Sequence, residues 1–327
     1  MQDLSPISAS PYVLSVCSDM CAWDALVNES PQGHVFSSSA FLDSLDAQHT
    51  CYVVATPQGE VLAGVALMLD GYRMARAPFA FTPHQGILFA KSVSLLCHQK
   101  RRTSEFRITT FLIEALLDVF PNFSMALSPF FKDLRPFLWK NYGKVVLPQF
   151  EIRQRYTGHL SLIDFELGNY LASVRTARRQ EYKKTRAVIE HSHNLNLFLK
   201  LYEQTFNRQG IAIDDEVLKL VAKICEKAMT NGYGYLSCAL VDDRVASMAF
   251  FVTDRACAYY LFGANDPDMR DARATSKLLI DNIATFARQG LERFDFVGVN
   301  SPQRGDFKLS FNAELIPYQE VHLSAHD

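Results

Sequence analysis

The chain has 327 residues, of which 48% are hydrophobic, 12% aromatic and 21% charged. That apolar share excludes a disordered chain, and the length implies two domains, or one large one, able to fold without metal or disulfide staples. Lys and Arg total 33 against 35 Asp and Glu, a net charge of -2, so no global positive field draws the protein onto nucleic acid and any basic site is local.

Tyr12 to Val16 reads as a strand and Met20 to Val27 as a short helix. Ser37-Ser38-Ser39 ahead of Phe41, Leu42 and Leu45 marks a capped helix. A hairpin follows, with β-rich residues from Thr50 to Thr56, a Pro57-Gln58-Gly59 turn and the apolar return Val61 to Leu69. Asp70-Gly71 turns the chain again before Tyr72 to Ala77. Phe106 to Phe120 carries apolar residues at helical spacing and stops at Pro121, and Phe123 to Leu127 and Lys144 to Phe150 read as further strands.

The second half repeats that plan more legibly. Leu195 to Arg208 and Asp214 to Thr230 are amphipathic helices, the latter with acids in its first turn, where the helix dipole favours them. Three strands follow, Tyr235 to Val241, Val245 to Thr253 and Ala256 to Phe262, separated by Asp242-Asp243 and Asp254-Arg255 turns. Ala272 to Arg288 is a long helix closed by Gly290, and strands Arg293 to Val297 and Glu314 to Leu323 complete the set. Each half thus shows helices, a β-meander, a long helix and more strands, the pattern of an α+β duplication.

The longest apolar run, Val61 to Leu69, is far shorter than the ~20 residues of a membrane span. Met1-Gln2-Asp3-Leu4 puts no positive charge ahead of an apolar stretch, so no leader is expected. Seven cysteines run from Cys17 to Cys257 without repeated spacing, and Cys17 and Cys21 form a C-x3-C with no second ligand pair. They read as ordinary thiols of a reducing compartment, and the expected location is cytoplasmic, with no metal. No G-x-S-x-G, H-E-x-x-H, P-loop or G-x-G-x-x-G occurs, which argues against serine hydrolase, metalloprotease, P-loop and Rossmann readings.

From Val241 to Phe311 several features fall in a specific order. A hairpin turn Asp243-Arg244-Val245-Ala246-Ser247 leads to an aromatic strand, Tyr259-Tyr260-Leu261-Phe262-Gly263-Ala264. Leu278-Leu279 on a helix, Gly290-Leu291-Glu292-Arg293-Phe294-Asp295-Phe296-Val297-Gly298 and Phe307-Lys308-Leu309-Ser310-Phe311 follow. This series resembles the Fem-type branch of the GNAT acyltransferase superfamily, with its YDFGG strand and FK-x-x-F-G element. Ser173 to Arg186 sits where that family has an Arg/Lys-rich helix, and Pro83-His84-Gln85-Gly86 resembles its first-domain Pro-to-Gly loop. The resemblance covers about the last 155 residues well and the first 155 weakly. Two departures stand out: Asn312 replaces the last glycine of FK-x-x-F-G, and Arg270-Asp271-Ala272-Arg273-Ala274-Thr275 lacks the glycines of the superfamily's pyrophosphate loop. Backbone N–H groups at a helix start can still bind phosphate there.

The resemblance implies two tandem GNAT-like domains with mixed central sheets flanked by helices, at 1-155 and 156-327, with strand 314-323 crossing back to complete the first. It also implies acyl transfer to a primary amine in a cleft between them. Lys308 is then the residue that stabilises developing negative charge in the acyl-transfer channel. Asp295, opposite to Phe294 and Phe296 on its strand, is a candidate to orient the amine or take its proton. Tyr259 and Tyr260 point to opposite faces, so one of them is expected in the groove, with Tyr260 placed among the catalytic group. Asp306 is a candidate partner of Lys308 or Arg304, and His84, Gln85 and Gly86 could line the first domain's cleft.

Between Arg175 and Arg186 the sequence carries six cations and one acid, Glu181. Arg175, Arg178, Arg179 and Lys183 therefore read as a phosphate- or substrate-binding face, since like charges at i, i+4 destabilise a bare helix. Lys100-Arg101-Arg102 with Arg107 reads instead as a surface patch at a helix start. The expected donor is an acyl-CoA and the acceptor a small-molecule or nucleotide-linked amine, an amino-sugar or amino acid of cell-envelope or polysaccharide assembly. A charged tRNA as donor is the second reading, and a non-catalytic ligand-binding or scaffold protein the third.

Overall fold

In a computed structural model of the protein, the described residues are 10–120, 122–144, 146–208 and 210–323. The start Met1-Gln2-Asp3-Leu4 and the helix stop at Pro121 fall outside them. The chain divides into two compact units. The first holds the residues up to Gly33, Ala47–Arg153 and those from Gln319 onward; the second holds His34–Asp46 and Gln154–Tyr318.

In chain order, the elements are β1 (Val13–Val16), α1 (Met20–Glu29), α2 (Ser39–Leu42), β2 (His49–Ala55), β3 (Val61–Asp70), β4 (Arg73–Met74) and β5 (Leu88–Phe89). Then come α3 (Lys91–Ser94), α4 (His98–Val119), β6 (Phe123–Ala126), α5 (Arg135–Trp139), β7 (Glu151–Ser161), α6 (Leu167–Ser173) and α7 (Thr176–Lys184). The rest are β8 (Val188–His191), α8 (Leu195–Asn207), α9 (Asp215–Thr230), β9 (Gly234–Val241), β10 (Arg244–Thr253) and β11 (Cys257–Asn265). They end with α10 (Ala274–Arg288), β12 (Arg293–Asp295), α11 (Pro302–Leu309) and β13 (Glu314–Leu323).

In the first unit β1, β2, β3 and β4 lie side by side, with β5 also on β3, all antiparallel. The buried run of β3 packs under α1, whose start is capped by Asp19 accepting from the N–H groups of Cys21 and Ala22. Gly64 permits this approach: a Cβ there would lie 2.8 Å from Trp23 and 2.7 Å from Leu26. Helix α4 buries Ile108, Leu112, Ile113 and Leu116 in the same core. The end of β13 joins this unit, pairing Glu320–Leu323 antiparallel with β6.

Two sequence expectations fail here. Tyr72 to Ala77 yields only Arg73–Met74 as strand, and the Ala77 N–H donates to Ser124 Oγ at 2.7 Å instead of to a neighbouring strand. The described residues of Lys144 to Phe150 (Val145 is outside them) form no strand either: left-handed Asn141 and Gly143 fold the chain into successive turns, and extended pairing starts at Glu151.

In the second unit the strand order is β7-β12-β11-β10-β9-β8. Every pair is antiparallel except β11 with β12, which run parallel, so the sheet is mixed. Adjacent residues of β10 face opposite layers, as the pleat requires: Phe250 meets Phe198 of α8, while Phe251 packs on Phe286 of α10 at 5.2 Å. The sheet is thus sandwiched between α8 and α9 on one face and α10 on the other. Residues 34–46 belong to this unit because Asp254 accepts the Val35 N–H and Phe36 packs edge-on against Tyr259. Phe294, fully buried among Phe251, Phe286 and Phe296, sits at the centre of the α10-side core. Phe294→Ala should cost about 3–5 kcal/mol through lost burial and a cavity, read as a fall in the urea midpoint.

Candidate active site

The site begins where β11 and β12 stop pairing. Their parallel ladder holds for three residues, Cys257↔Arg293, Ala258↔Phe294 and Tyr259↔Asp295. Beyond it β11 continues to Asn265, while β12 ends and the chain enters a turn in which Val297 (φ 42°) and Gly298 (φ 49°) are both left-handed. A β-branched residue resists that conformation, so something must hold it. That something is Asp295, whose carboxylate has no solvent exposure. Its Oδ1 accepts the Val297 N–H at 2.8 Å and the Thr157 hydroxyl, and its Oδ2 lies 3.1 Å from His159 Nε2.

The turn aims the Val297 carbonyl at α11, and Lys308 Nζ donates to it at 2.8 Å. Helix α11 starts with Pro302 at its first position, a favoured start that lacks only an N–H the helix does not need. The Lys308 ammonium also lies over the Tyr260 ring, 5.2 Å from its centroid. Burial is the main cause that brings its pKa down to about 8; Arg304 lowers it further and the charge of Asp295 opposes both. An ammonium so poised can oppose a forming oxyanion and exchange a proton near neutral pH. Burial raises the Tyr260 phenol well above its ordinary range, so it stays protonated. Gly263 makes room for that ring: a Cβ there would fall 1.9 Å from the Tyr260 hydroxyl.

Beside Lys308 in sequence, Phe307 lines a hollow of about 320 Å³ at the start of α10, together with Arg178, Arg208, Arg270, Arg273 and Thr275. No side chain caps α10, and Arg273 just ahead of it is left-handed (φ 50°), a conformation usually left to glycine. Arg178 stacks on the Phe307 ring at 5.1 Å, donates to Ser276 Oγ at 3.2 Å and pairs with Glu181 at 2.9 Å. Its buried Nε has no hydrogen-bond partner. Uncapped helix N–H groups and four arginines, with the acids Glu181 and Asp266 also on its wall, are what this hollow could offer to phosphate oxygens.

The other sequence candidates land elsewhere. Arg175 forms a two-pronged pair with Asp306, both bonds 2.8 Å, so Asp306 meets neither Lys308 nor Arg304. Arg179 bonds the Ala172 carbonyl at 3.2 Å, and Lys183 is exposed on α7. The Tyr259 hydroxyl donates to Asp254 at 2.6 Å on the sheet face away from Lys308. Gln85 and Gly86 belong to the first unit, where Gln85 bridges to Ala126 and Gly86 lets the chain pass within contact of Leu127. Thr157, His159, Arg208 and Thr275 were not singled out from sequence. The alternation Tyr156-Thr157-Gly158-His159-Leu160 is the signal that could have placed the first two on one strand face.

Residues 169–309 match the sequence profile of the GNAT acetyltransferase domain. The fold of the whole chain is that seen in FemX, at a TM-score of 0.69 and 13% identity, covering 94% of this chain and 96% of that one. A tandem GNAT protein from the clavulanic acid biosynthesis pathway aligns over 97% of this chain and all but 1% of its own (99%), with a TM-score of 0.55 and 11% identity. The C-terminal domain of a lysylphosphatidylglycerol synthetase from Agrobacterium fabrum aligns over 94% of this chain and 92% of its own, at 0.55 and 10%. No curated protein matches the sequence. The α+β, GNAT-type class expected from the sequence is thus the class observed.

Lys308 carries a stability signature. Its pKa is about 8 folded against 10.5 ordinarily, so between those values the unfolded chain binds the extra proton and stability climbs as pH rises. Below the window both forms are protonated and the burial cost is fully present. Burial also raises the Cys225 and Cys257 thiols, which pull stability the other way over the same range, so the lysine's share is read as a difference: the urea midpoint of the protein relative to that of Lys308→Met should climb across the window.

Proposed function

We propose that the protein transfers an acyl group from an acyl-CoA to a primary amine, using the second unit's strand opening as its reaction centre. The carrying observation is the adjacency, through Phe307 and Lys308, of an arginine-lined hollow and a partly desolvated ammonium. The hollow suits the phosphates of a nucleotide-bearing donor, and the opening beyond Tyr259 and Asp295 suits its thioester arm. A neutral amine attacks the carbonyl carbon; the C–N bond forms, the C–S bond breaks, and the thiolate leaves with a proton. Lys308 opposes the oxyanion and is placed to supply that proton, recovering it from the newly made ammonium through solvent. Tyr260 shapes the pocket as a neutral ring under the lysine. Asp295 acts through the Val297 turn and does not itself reach a substrate.

A second reading takes the donor to be an aminoacyl-tRNA, in which case the bond broken is the ester C–O. The FemX-type fold favours it, as does the likeness to a lysylphosphatidylglycerol synthetase domain. The acceptor is an amine-bearing small molecule or nucleotide-linked sugar on either reading, and the site as proposed uses no metal.

Thermal-shift screening should separate the donors: acetyl-CoA and longer acyl-CoAs should raise the melting temperature by mass action, and Arg178→Ala should weaken that shift. Stabilisation by charged tRNA alone would favour the second reading. With a productive donor and acceptor pair, Lys308→Ala should lower kcat by roughly 100-fold while leaving the fold intact. Unchanged turnover would remove Lys308 from the mechanism.

A further inference from the structure

The first unit carries a surface that the transfer reaction does not use. After α5 the chain makes two closed turns: Lys144 N–H donates to the Asn141 carbonyl, Leu147 N–H to the Lys144 carbonyl, and the Asn141 amide to the Pro148 carbonyl at 2.7 Å. This braced loop turns its large apolar side chains outward. Trp139 is 54% exposed, Tyr142 79% and Val146 86%, with Leu138 and Leu147 beside them in sequence also exposed. Large apolar side chains clustered this way mark an interaction surface.

The charges around the loop indicate what covers it. From Leu134 to Phe150 the sequence holds Arg135, Lys140 and Lys144 and no acid. Arg135 lies over the rings of Phe106 and Trp139, at 5.1 and 5.5 Å, and Trp139 meets Phe106 edge-on. The segment is thereby fixed on α4, whose first turns carry the basic run Lys100-Arg101-Arg102. The acids nearby sit beside cations: Asp133 pairs with Arg135 and feels Arg102, Glu114 pairs with Lys140, and the half-buried Glu105 lies near Arg101. Lys144, Lys100 and Arg102 are exposed beside these apolar side chains or at the helix they pack on. Interfacial Trp and Tyr with aliphatic side chains, set among lysine and arginine and with the nearby acids paired to cations, is a composition that suits the headgroup level of an anionic bilayer.

We infer that the α5 loop is a peripheral membrane-docking surface that seats Leu138, Trp139, Tyr142, Val146 and Leu147 among the headgroups of anionic phospholipids. The inference rests on the first unit alone and stands apart from the transfer chemistry proposed above. No helix among the described residues is long and apolar enough to cross a membrane, so the attachment is to one leaflet.

The sequence supplies its own probe, because it has two tryptophans and the other, Trp23, is fully buried. Vesicles of phosphatidylcholine with phosphatidylglycerol should co-sediment the full chain, blue-shift the Trp139 emission and, with brominated acyl chains, quench it. Pure phosphatidylcholine vesicles and raised ionic strength should both weaken binding. Tyr142→Asp with Val146→Asp should abolish co-sedimentation, and Lys100→Glu with Lys144→Glu should weaken it by roughly tenfold or more. These positions are solvent-facing, so circular dichroism should show folded variants. Trp139→Phe should lose the emission change while still sedimenting. No shift and no co-sedimentation would overturn the inference. So would light scattering that shows a dimer dissolved by Tyr142→Asp, since a second copy would then be what covers the loop.

Discussion

One buried carboxylate organises the candidate active site. Asp295 ends its strand with no exposure to water and collects three donors or near-donors, Thr157, His159 and the Val297 N–H. An ionised carboxylate in such a place is tolerable only because it is hydrogen-bonded. Its bond to Val297 holds a β-branched residue left-handed, and that turn points a carbonyl at the Lys308 ammonium. The lysine is therefore held by a backbone dipole and a ring face instead of a direct ion pair. A close carboxylate partner would fix it as a permanent cation; a carbonyl leaves it free to lose its proton.

Beside the lysine the two central strands part early. Parallel pairing of β11 with β12 lasts only three residues because β12 is cut short by the turn that Asp295 stabilises. The register of β11 against β10 also slips between Phe250 and Phe251, where Leu261 has no partner. The slip sets Tyr260 opposite Phe251, so the tyrosine joins the α10-side core and comes beneath Lys308 while Gly263 leaves space for its hydroxyl. One extra residue in a strand thus decides which of two adjacent tyrosines meets the lysine.

Much of the second unit was legible in the sequence because its signals are local. Clean period-2 and period-3.6 patterns, with Asp and Gly turns between them, place β9, β10, α8, α9 and α10 within a few residues of the expected bounds. Lys308 was legible through its flanking phenylalanines and the family resemblance, although α11 itself was not foreseen. The first unit was harder to read. Lys144 to Phe150 is rich in apolar residues, yet Val146 and Leu147 face the surface and Phe150 packs on Phe123 and Phe137 without joining a ladder. The role of Asp295 as a brace, and the partners Thr157 and His159, depend on a strand far away in sequence, and no window of residues contains that information. The same holds for Arg208, which reaches the α10 hollow only through the packing of α8.

The basic run after Arg175 shows why a count of charges misleads. Six cations with one acid suggest a strong local field, but the fold engages three of the arginines, Arg175, Arg178 and Arg179, in its own contacts. Arg175 ties the start of α7 to α11 through Asp306, and its N–H also donates to the Ser310 carbonyl at 3.0 Å. Arg178 shares Glu181 yet keeps a buried, unbonded Nε directed by its stacking on Phe307. What remains is a small fixed set of donors at one helix start rather than an extended positive strip. A fixed set of this size recognises a few phosphate oxygens at defined positions, since preorganised donors lose little freedom on binding. A long polyanion would instead draw its affinity from many exposed cations and released counterions. The donors around Arg178 thus belong to residues whose main task is to hold α7, α10 and α11 together.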